Sequence, residues 1–216
     1  MHTLIIGASR GIGAELAAQA VAAGHAVTAT VRSGEAPAGA RTVLCDVADA
    51  GSVRRAASEV EGPVDRLVHV AGINPREGQS FGSADEAVWR EMMEVNVLGA
   101  LRVAEAFAPL MREGSLAAFV SSQLGSMSLG GGRGYPAYNA SKTALNKMCQ
   151  DMAAAWKPRG IAVLSIHPGW VRTRLGSPQA PLSAEESARG ILDLVTAKGM
   201  SDTGTFWNWD GRPHAW

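Results

Sequence analysis

The feature that most constrains this chain is a rhythm. Short runs that are apolar on both faces alternate with longer stretches of helical period. Thr3-Leu4-Ile5-Ile6 is the first such run, and an Ala-rich helical pattern follows it to about Ala23. Residues 26–31, 42–44, 66–70, 116–121 and 161–166 repeat the same kind of run, and Thr205-Phe206-Trp207 reads as an edge strand. Residues 49–60 and 138–156 read as helices, and Ser83 or Asp85 opens a long helical region reaching Met111. Ser183 caps a last helix, with Glu185 and Glu186 in its first turn. A strand with no polar face must be covered on both sides, so these runs predict a parallel sheet between two layers of helices. Right-handed crossovers then give a doubly wound α/β fold with seven parallel strands.

The chain has 216 residues, of which 46% are apolar and 19% charged, which suits one well-cored domain spanning residues 1–216. Lys plus Arg equals Asp plus Glu at 20 each, so no global field favours nucleic acid or an anionic membrane as a partner. No run approaches the roughly 18 apolar residues of a membrane span, and residues 1–13 read as a first strand and turn, not as a leader. Cys45 and Cys149 are far apart, and the expectation is two reduced thiols in a cytoplasmic protein. The five histidines show no paired ligand spacing, so no catalytic metal is expected.

Gly7-Ala8-Ser9-Arg10-Gly11-Ile12-Gly13 follows the first strand directly and opens a helix. Glycines there allow a tight turn and a close approach of backbone to a pyrophosphate, while the helix N-terminus offers free N–H groups and partial positive charge. This is the Rossmann arrangement. Dinucleotide sites that take NAD place a carboxylate at the end of the second strand; those that take NADP need a cation. The segment Thr28-Ala29-Thr30-Val31-Arg32-Ser33 has no carboxylate and does have Arg32, with Arg10 as a second guanidinium fork. The expected cofactor is therefore NADP(H) in preference to NAD(H). Asp46, past the third strand, either accepts a bond from the adenine amino group or caps a helix.

Tyr138 and Lys142 stand four apart, which on a helix puts a phenol and an ammonium one turn from each other. A free phenol titrates near pH 10, and bringing it close to neutrality needs roughly 4 kcal/mol of differential stabilisation. Lys142 and an oxidised nicotinamide are the two cations that would provide it. Only four lysines occur in the chain, so this pairing carries weight. Such a phenol can give a proton to a carbonyl oxygen or take one from an alcohol.

Taken in order, these motifs resemble the classical-type short-chain dehydrogenase/reductases over nearly the whole length. The glycine turn of Gly7, Gly11 and Gly13, Asp46-Val47, Ala71-Gly72, Asn96-Val97, Ser121-Ser122, Tyr138 with Lys142, and Pro168-Gly169 followed by Thr173 carry the resemblance. Ser121 to Ser126, the glycine-rich insertion before Tyr138, His167-Pro168-Gly169-Trp170-Val171 and the ending Trp207-Asn208-Trp209-Asp210-Gly211 are most similar to carbonyl reductases of the sniffer and C-signal type. The resemblance implies that Ser122, ahead of Ser121, holds the substrate oxygen near Tyr138. It implies that Asn96 holds a water that relays protons to Lys142, and that Lys142 also binds the nicotinamide ribose. It implies a cofactor site built from Gly7, Ser9, Arg10, Gly11, Ile12, Gly13, Arg32, Asp46, Val47, Ala71, Gly72, Pro168, Gly169, Val171 and Thr173 with Tyr138 and Lys142. Two departures bear on cofactor affinity: Ile6 stands where the family usually has Thr, and Val70 where it usually has Asn.

The short segment between Arg174 and Ser183 predicts an open, shallow substrate pocket of modest selectivity, with Met127 and Trp170 as candidate lining residues or ordinary core. The leading reading is an oxidoreductase moving a hydride between NADP(H) and a small carbonyl or alcohol. A dinucleotide-binding sensor or signalling protein on the same scaffold is the alternative. Homodimer, homotetramer and monomer all stay open.

Overall fold

A computed structural model describes residues 1–130 and 134–216. Seven strands form one parallel sheet in the order β3-β2-β1-β4-β5-β6-β7. They are β1 (His2–Ile6), β2 (Ala26–Val31), β3 (Arg41–Leu44), β4 (Val64–His69), β5 (Met111–Val120), β6 (Ala162–His167) and β7 (Thr205–Asn208). The helices are α1 (Gly11–Ala22), α2 (Ala50–Glu59), α3 (Glu86–Met93), α4 (Gly99–Phe107), α5 (Pro136–Trp156) and α6 (Ala184–Ala197). The expected doubly wound sheet is present. Alternate side chains of the central strands serve two cores. Leu4, Ile6, Ala117, Phe119 and Val163 pack under α2, α4 and α5. Ile5, Leu116, Ala118, Val120 and Leu164 pack under α1 and α6. This is why the strands show no polar face in the sequence. Strand order reverses between β1 and β4, and in such sheets the crevice beyond the strand ends at that point is where ligands sit.

The structure settles one alternative of the sequence reading and corrects two of its details. Asp85, not Ser83, caps α3 by accepting a hydrogen bond from Ala87 N–H at 2.8 Å. The helical region does not run unbroken to Met111: α3 passes through a π-helical turn, Glu94–Leu98, into α4, and Met111 already begins β5. A π turn inserts one residue per turn and re-aims what it carries, here Asn96. β5 starts five residues earlier than the apolar run suggests, because Arg112, Glu113 and the positive-φ Gly114 form an exposed, irregular entry to the ladder. The loop expected at Gly130 to Gly134 falls partly on residues 131–133, which lie outside the described residues.

The free cysteines Cys45 and Cys149 are both buried. Among the described residues no helix is long and apolar enough to cross a membrane.

Two histidines set an acid limit on stability. His69 is 1% exposed and lies tilted against Phe119 at a ring separation of 5.7 Å. Burial, with the charge of Lys142 adding to it, drives its imidazole down to about 3. His167 is driven down to about 4 by burial, then by His214. Both stay neutral in the fold, while the unfolded chain protonates them near pH 6.5. Unfolding therefore takes up protons below that pH, and stability must fall as pH drops from about 6.5 toward 4. A urea midpoint lower at pH 5 than at pH 7.5 is expected, with the difference reduced in His69→Phe. Equal midpoints at the two pH values would contradict it.

Candidate active site

β1 ends at Ile6 and the chain turns through Gly7 to Gly13 into α1. Two of these glycines are required sterically. Gly7 has φ +95°, and a Cβ there would lie 2.8 Å from Ala71 N. A Cβ on Gly13 would lie 2.1 Å from the Gly7 carbonyl oxygen. The turn is thus packed backbone on backbone, against both α1 and the segment after β4. Thr30 of β2 ties it further, its hydroxyl accepting from Gly7 N–H at 3.1 Å while its carbonyl accepts from Ala8 N–H at 2.8 Å. This supplies a polar anchor that Ile6 cannot, and its only sign in the sequence is a Thr in a buried strand.

A cleft of about 600 Å³ opens over these strand ends. Gly7, Ser9, Arg10, Gly11 and Ile12 form one wall, with Arg32 and Asp46 beside them. Val47, Ala71, Gly72, Pro168 and Thr173 continue the lining to Tyr138 and Lys142. Five expected site residues, Gly13, Gly169, Val171, Asn96 and Ser122, are not among those that line the cleft. Gly13 braces the turn, Gly169 packs on Leu182 and Trp209, and Val171 is buried and bridged to Leu182. Asn96 is fully buried behind Gly72, with its Oδ1 3.2 Å from where a Cβ would stand. Arg172, Arg174 and Glu94 also line the cleft and were not anticipated. Met127 and Trp170 are 75% and 54% exposed and belong to neither core, which removes the reading of them as core residues.

The cleft suits an anionic dinucleotide. Arg10 occupies the N-cap of α1 in extended conformation with no side-chain cap, and no acidic residue sits in the first turn. The first N–H groups of α1 are left for an outside acceptor, such as a phosphate. Arg10 and Arg32 are exposed on the same wall. Asp46 turns its carboxylate onto Ala48 N–H at 3.0 Å, and the cap of α2 is Asp49, so capping is not what Asp46 does.

Tyr138 and Lys142 lie in the first two turns of α5, both buried. Lys142 Nζ is 5.7 Å from the centroid of the Tyr138 ring and donates to Val120 O at 2.9 Å. The Ser122 hydroxyl lies close enough to the Tyr138 phenol to pull its pKa down, and its Oγ accepts from Leu124 N–H at 3.1 Å. Ser121 instead points at the Lys142 carbonyl, 3.4 Å away. Ser122, and not Ser121, thus acts on the phenol, although Ser121 is the serine that lines the cleft. The Asn96 side chain is fully engaged: Oδ1 accepts from Ile73 N–H at 2.9 Å, and Nδ2 donates to Ile73 O and Ser141 Oγ, each at 3.0 Å.

The expected acidic phenol is not a property of the protein alone. Burial pushes Tyr138 up to about 12, against a smaller downward pull from Ser122. Burial also draws the Lys142 ammonium down to about 8. In this apolar setting desolvation dominates both groups, so the phenol is held neutral and ready to donate.

Residues 1–181 match the family described as short chain dehydrogenase. The C-signal protein of Myxococcus xanthus is 36% identical over 157 residues, 72% of this chain and 94% of that one. A short-chain dehydrogenase/reductase from Burkholderia multivorans with bound NADP superposes at TM-score 0.90 and 31% identity, over 100% of this chain and 99% of that one. Carbonyl reductase Sniffer of D. melanogaster gives TM-score 0.90 at 26% identity, again over 100% and 99%. This is an oxidoreductase scaffold, and the chain belongs to the short-chain dehydrogenase/reductase family. Within the family it is related to the C-signal and Sniffer-like carbonyl reductases.

Proposed function

We propose that this protein reduces small carbonyl compounds to alcohols with NADPH, and that residues 1–216 work as one unit in doing so. The observation that carries the reading is the meeting of Tyr138, Ser122 and Lys142 beside a cleft whose far wall is an uncapped helix N-terminus flanked by Arg10 and Arg32. NADPH, which the glycine turn with Arg10 and Arg32 would hold, would supply the hydride for the carbonyl carbon. Tyr138 gives its phenolic proton to the carbonyl oxygen as the C–O double bond becomes single. Ser122 holds that oxygen within reach of the phenol. Lys142 faces the phenolate left behind, and its remaining donors would suit the ribose hydroxyls of a bound nucleotide. Asn96 has no free side-chain atom, so a water-holding role would fall to its main-chain carbonyl, in the π turn where helical bonding is already irregular. In the reverse direction the same groups take a proton from an alcohol. The relatives bear on this through what they are: one holds NADP, another is a carbonyl reductase.

The test is NADPH oxidation across a panel of ketones and aldehydes, with NADH run beside it. Preference for the 2′-phosphate is assigned to Arg32, aided by Arg10. Arg32→Asp should weaken NADPH by about 10- to 100-fold, the worth of a charge-assisted phosphate contact replaced by repulsion, and leave NADH within a few-fold. Equal losses for both cofactors would show that Arg32 does not read the 2′-phosphate.

A further inference from the structure

α5 begins badly as a helix. Tyr135 precedes it in the left-handed region, at φ 54° and ψ 55°, the one non-glycine residue of positive φ among the described residues. Pro136 follows, which disfavours the right-handed helical region for the residue before it. No side chain from the N-cap satisfies the first N–H groups. Left-handed backbone is costly for a bulky residue, and such a start would ordinarily fray. Yet it carries Tyr138 in its first turn.

The missing acceptor comes from far away in sequence. Gln79, in the segment between β4 and α3, is 1% exposed and places Oε1 3.0 Å from Tyr138 N, accepting its N–H. The amide is itself held at its other end. Nε2 donates to Asn74 Oδ1 at 2.8 Å and to Pro75 O. All the amide's polar atoms are therefore used, and its orientation is fixed. The same segment is tied to the site from its start, since Ile73 pairs through both N–H and C=O with Asn96. Met92, Ala137 and Tyr138 then pack as one small apolar cluster, with Val88 and Trp89 of α3 against it.

We infer that Gln79 is a positioning residue: it caps the strained start of α5 at the backbone of Tyr138 and so fixes where the phenol stands relative to Ser122 and Lys142. This rests on Tyr138 being the acid/base of the proposed reaction. Gln79 touches neither substrate nor cofactor; it acts through the backbone of a residue that does. Displacement of a reacting group by about 1 Å can cost about 100-fold in rate, so a loss of this cap has room to matter.

The test uses Gln79→Met, which keeps volume and removes the acceptor, and Gln79→Glu, whose buried neutral acid keeps an oxygen to accept from Tyr138 N–H and an O–H to donate to Asn74 Oδ1. Gln79→Met should lower kcat roughly 10- to 100-fold while the Kd for NADPH and the KM for substrate stay within about twofold. Gln79→Glu should recover most of kcat. An independent readout comes from the phenol: the chain has only two tyrosines, so in a Tyr135→Phe background near-ultraviolet phenolate absorbance reports Tyr138 alone. The phenolate formed on adding NADP⁺ to otherwise unsubstituted protein at pH 8.5 should be weakened by Gln79→Met and retained by Gln79→Glu. If Gln79→Met does not fold, Asn74→Ala replaces it and should give a smaller loss, about threefold, by freeing one end of the amide. A kcat within twofold of wild type in Gln79→Met, or in Asn74→Ala where that stands in, overturns the inference and leaves the assignment of Tyr138 intact. So does equal impairment in the Met and Glu variants. Absence of any phenolate signal before Gln79 is changed overturns both.

Discussion

Tyr138→Phe is expected to lower NADPH-dependent carbonyl reduction by roughly 10³-fold, within the range removed with a general acid. That is about 4 kcal/mol of transition-state stabilisation. The substitution deletes one oxygen and keeps the ring. The ring is 6% exposed and packs with Met92 and Ala137, so the fold has little reason to change. Backbone capping by Gln79 is untouched, since it uses the N–H of residue 138. NADPH binding should stay within a few-fold, because Lys142, the glycine turn and the two arginines remain. Loss is therefore expected in kcat, read by NADPH absorbance, with melting temperature and nucleotide Kd nearly unchanged. A variant turning over at the wild-type rate would remove Tyr138 from the chemistry, and the proton would have to come from another group.

Gly13→Ala is expected to do comparable damage by another route. The added methyl would sit 2.1 Å from the Gly7 carbonyl oxygen, a contact no rotamer relieves because both partners are backbone. Either α1 moves away from the turn or the turn opens. Gly7 cannot yield toward β4, since Ala71 N already stands 2.8 Å from where its own Cβ would be. Overpacking of a dense interior costs about 1–3 kcal/mol even where side chains share the strain. Here the strain falls on the N–H groups proposed to hold the dinucleotide. An NADPH affinity reduced by about 100-fold, or a chain destabilised by about 3 kcal/mol, is expected by calorimetry and urea unfolding. Gly199→Ala, with nothing within 4 Å of the added methyl, is the control and should change neither. Wild-type NADPH binding by Gly13→Ala would mean that the turn is not the phosphate-binding wall.

The sheet was legible because its signal is redundant. Each strand had to bury both faces, so apolar runs such as Leu4 to Ile6 and Ala162 to Ile166 could not be mistaken for polar loops. Helix starts were legible where a cap has a side-chain signature, as at Asp49 and Ser183. The π turn at Glu94–Leu98 was not, because one inserted residue leaves the apolar period almost intact. Site residues on the glycine turn and in the Tyr138–Lys142 pair are set by local spacing and could be placed. Thr30 and Gln79 act across 23 and 59 residues of chain, and nothing in their neighbourhoods distinguishes them from a buried Thr and a loop Gln. The state of the phenol was also out of reach: helical spacing gives the cation at one turn, but the burial that pushes the phenol up belongs to tertiary packing. Two cations in a dry site compete with that burial, and only one of them belongs to the protein.

Titration of the Tyr138 phenol with and without nucleotide addresses this competition directly, in a Tyr135→Phe chain where Tyr138 is the sole phenol. Without NADP⁺ no phenolate should form below about pH 10, in line with a group held near 12 by burial. With saturating NADP⁺ the phenolate should appear at roughly pH 8 or lower, and Lys142→Met should abolish that appearance. A phenol that ionises at the same pH in both forms, or that is indifferent to Lys142, would contradict the acid/base role on which the proposed reaction stands.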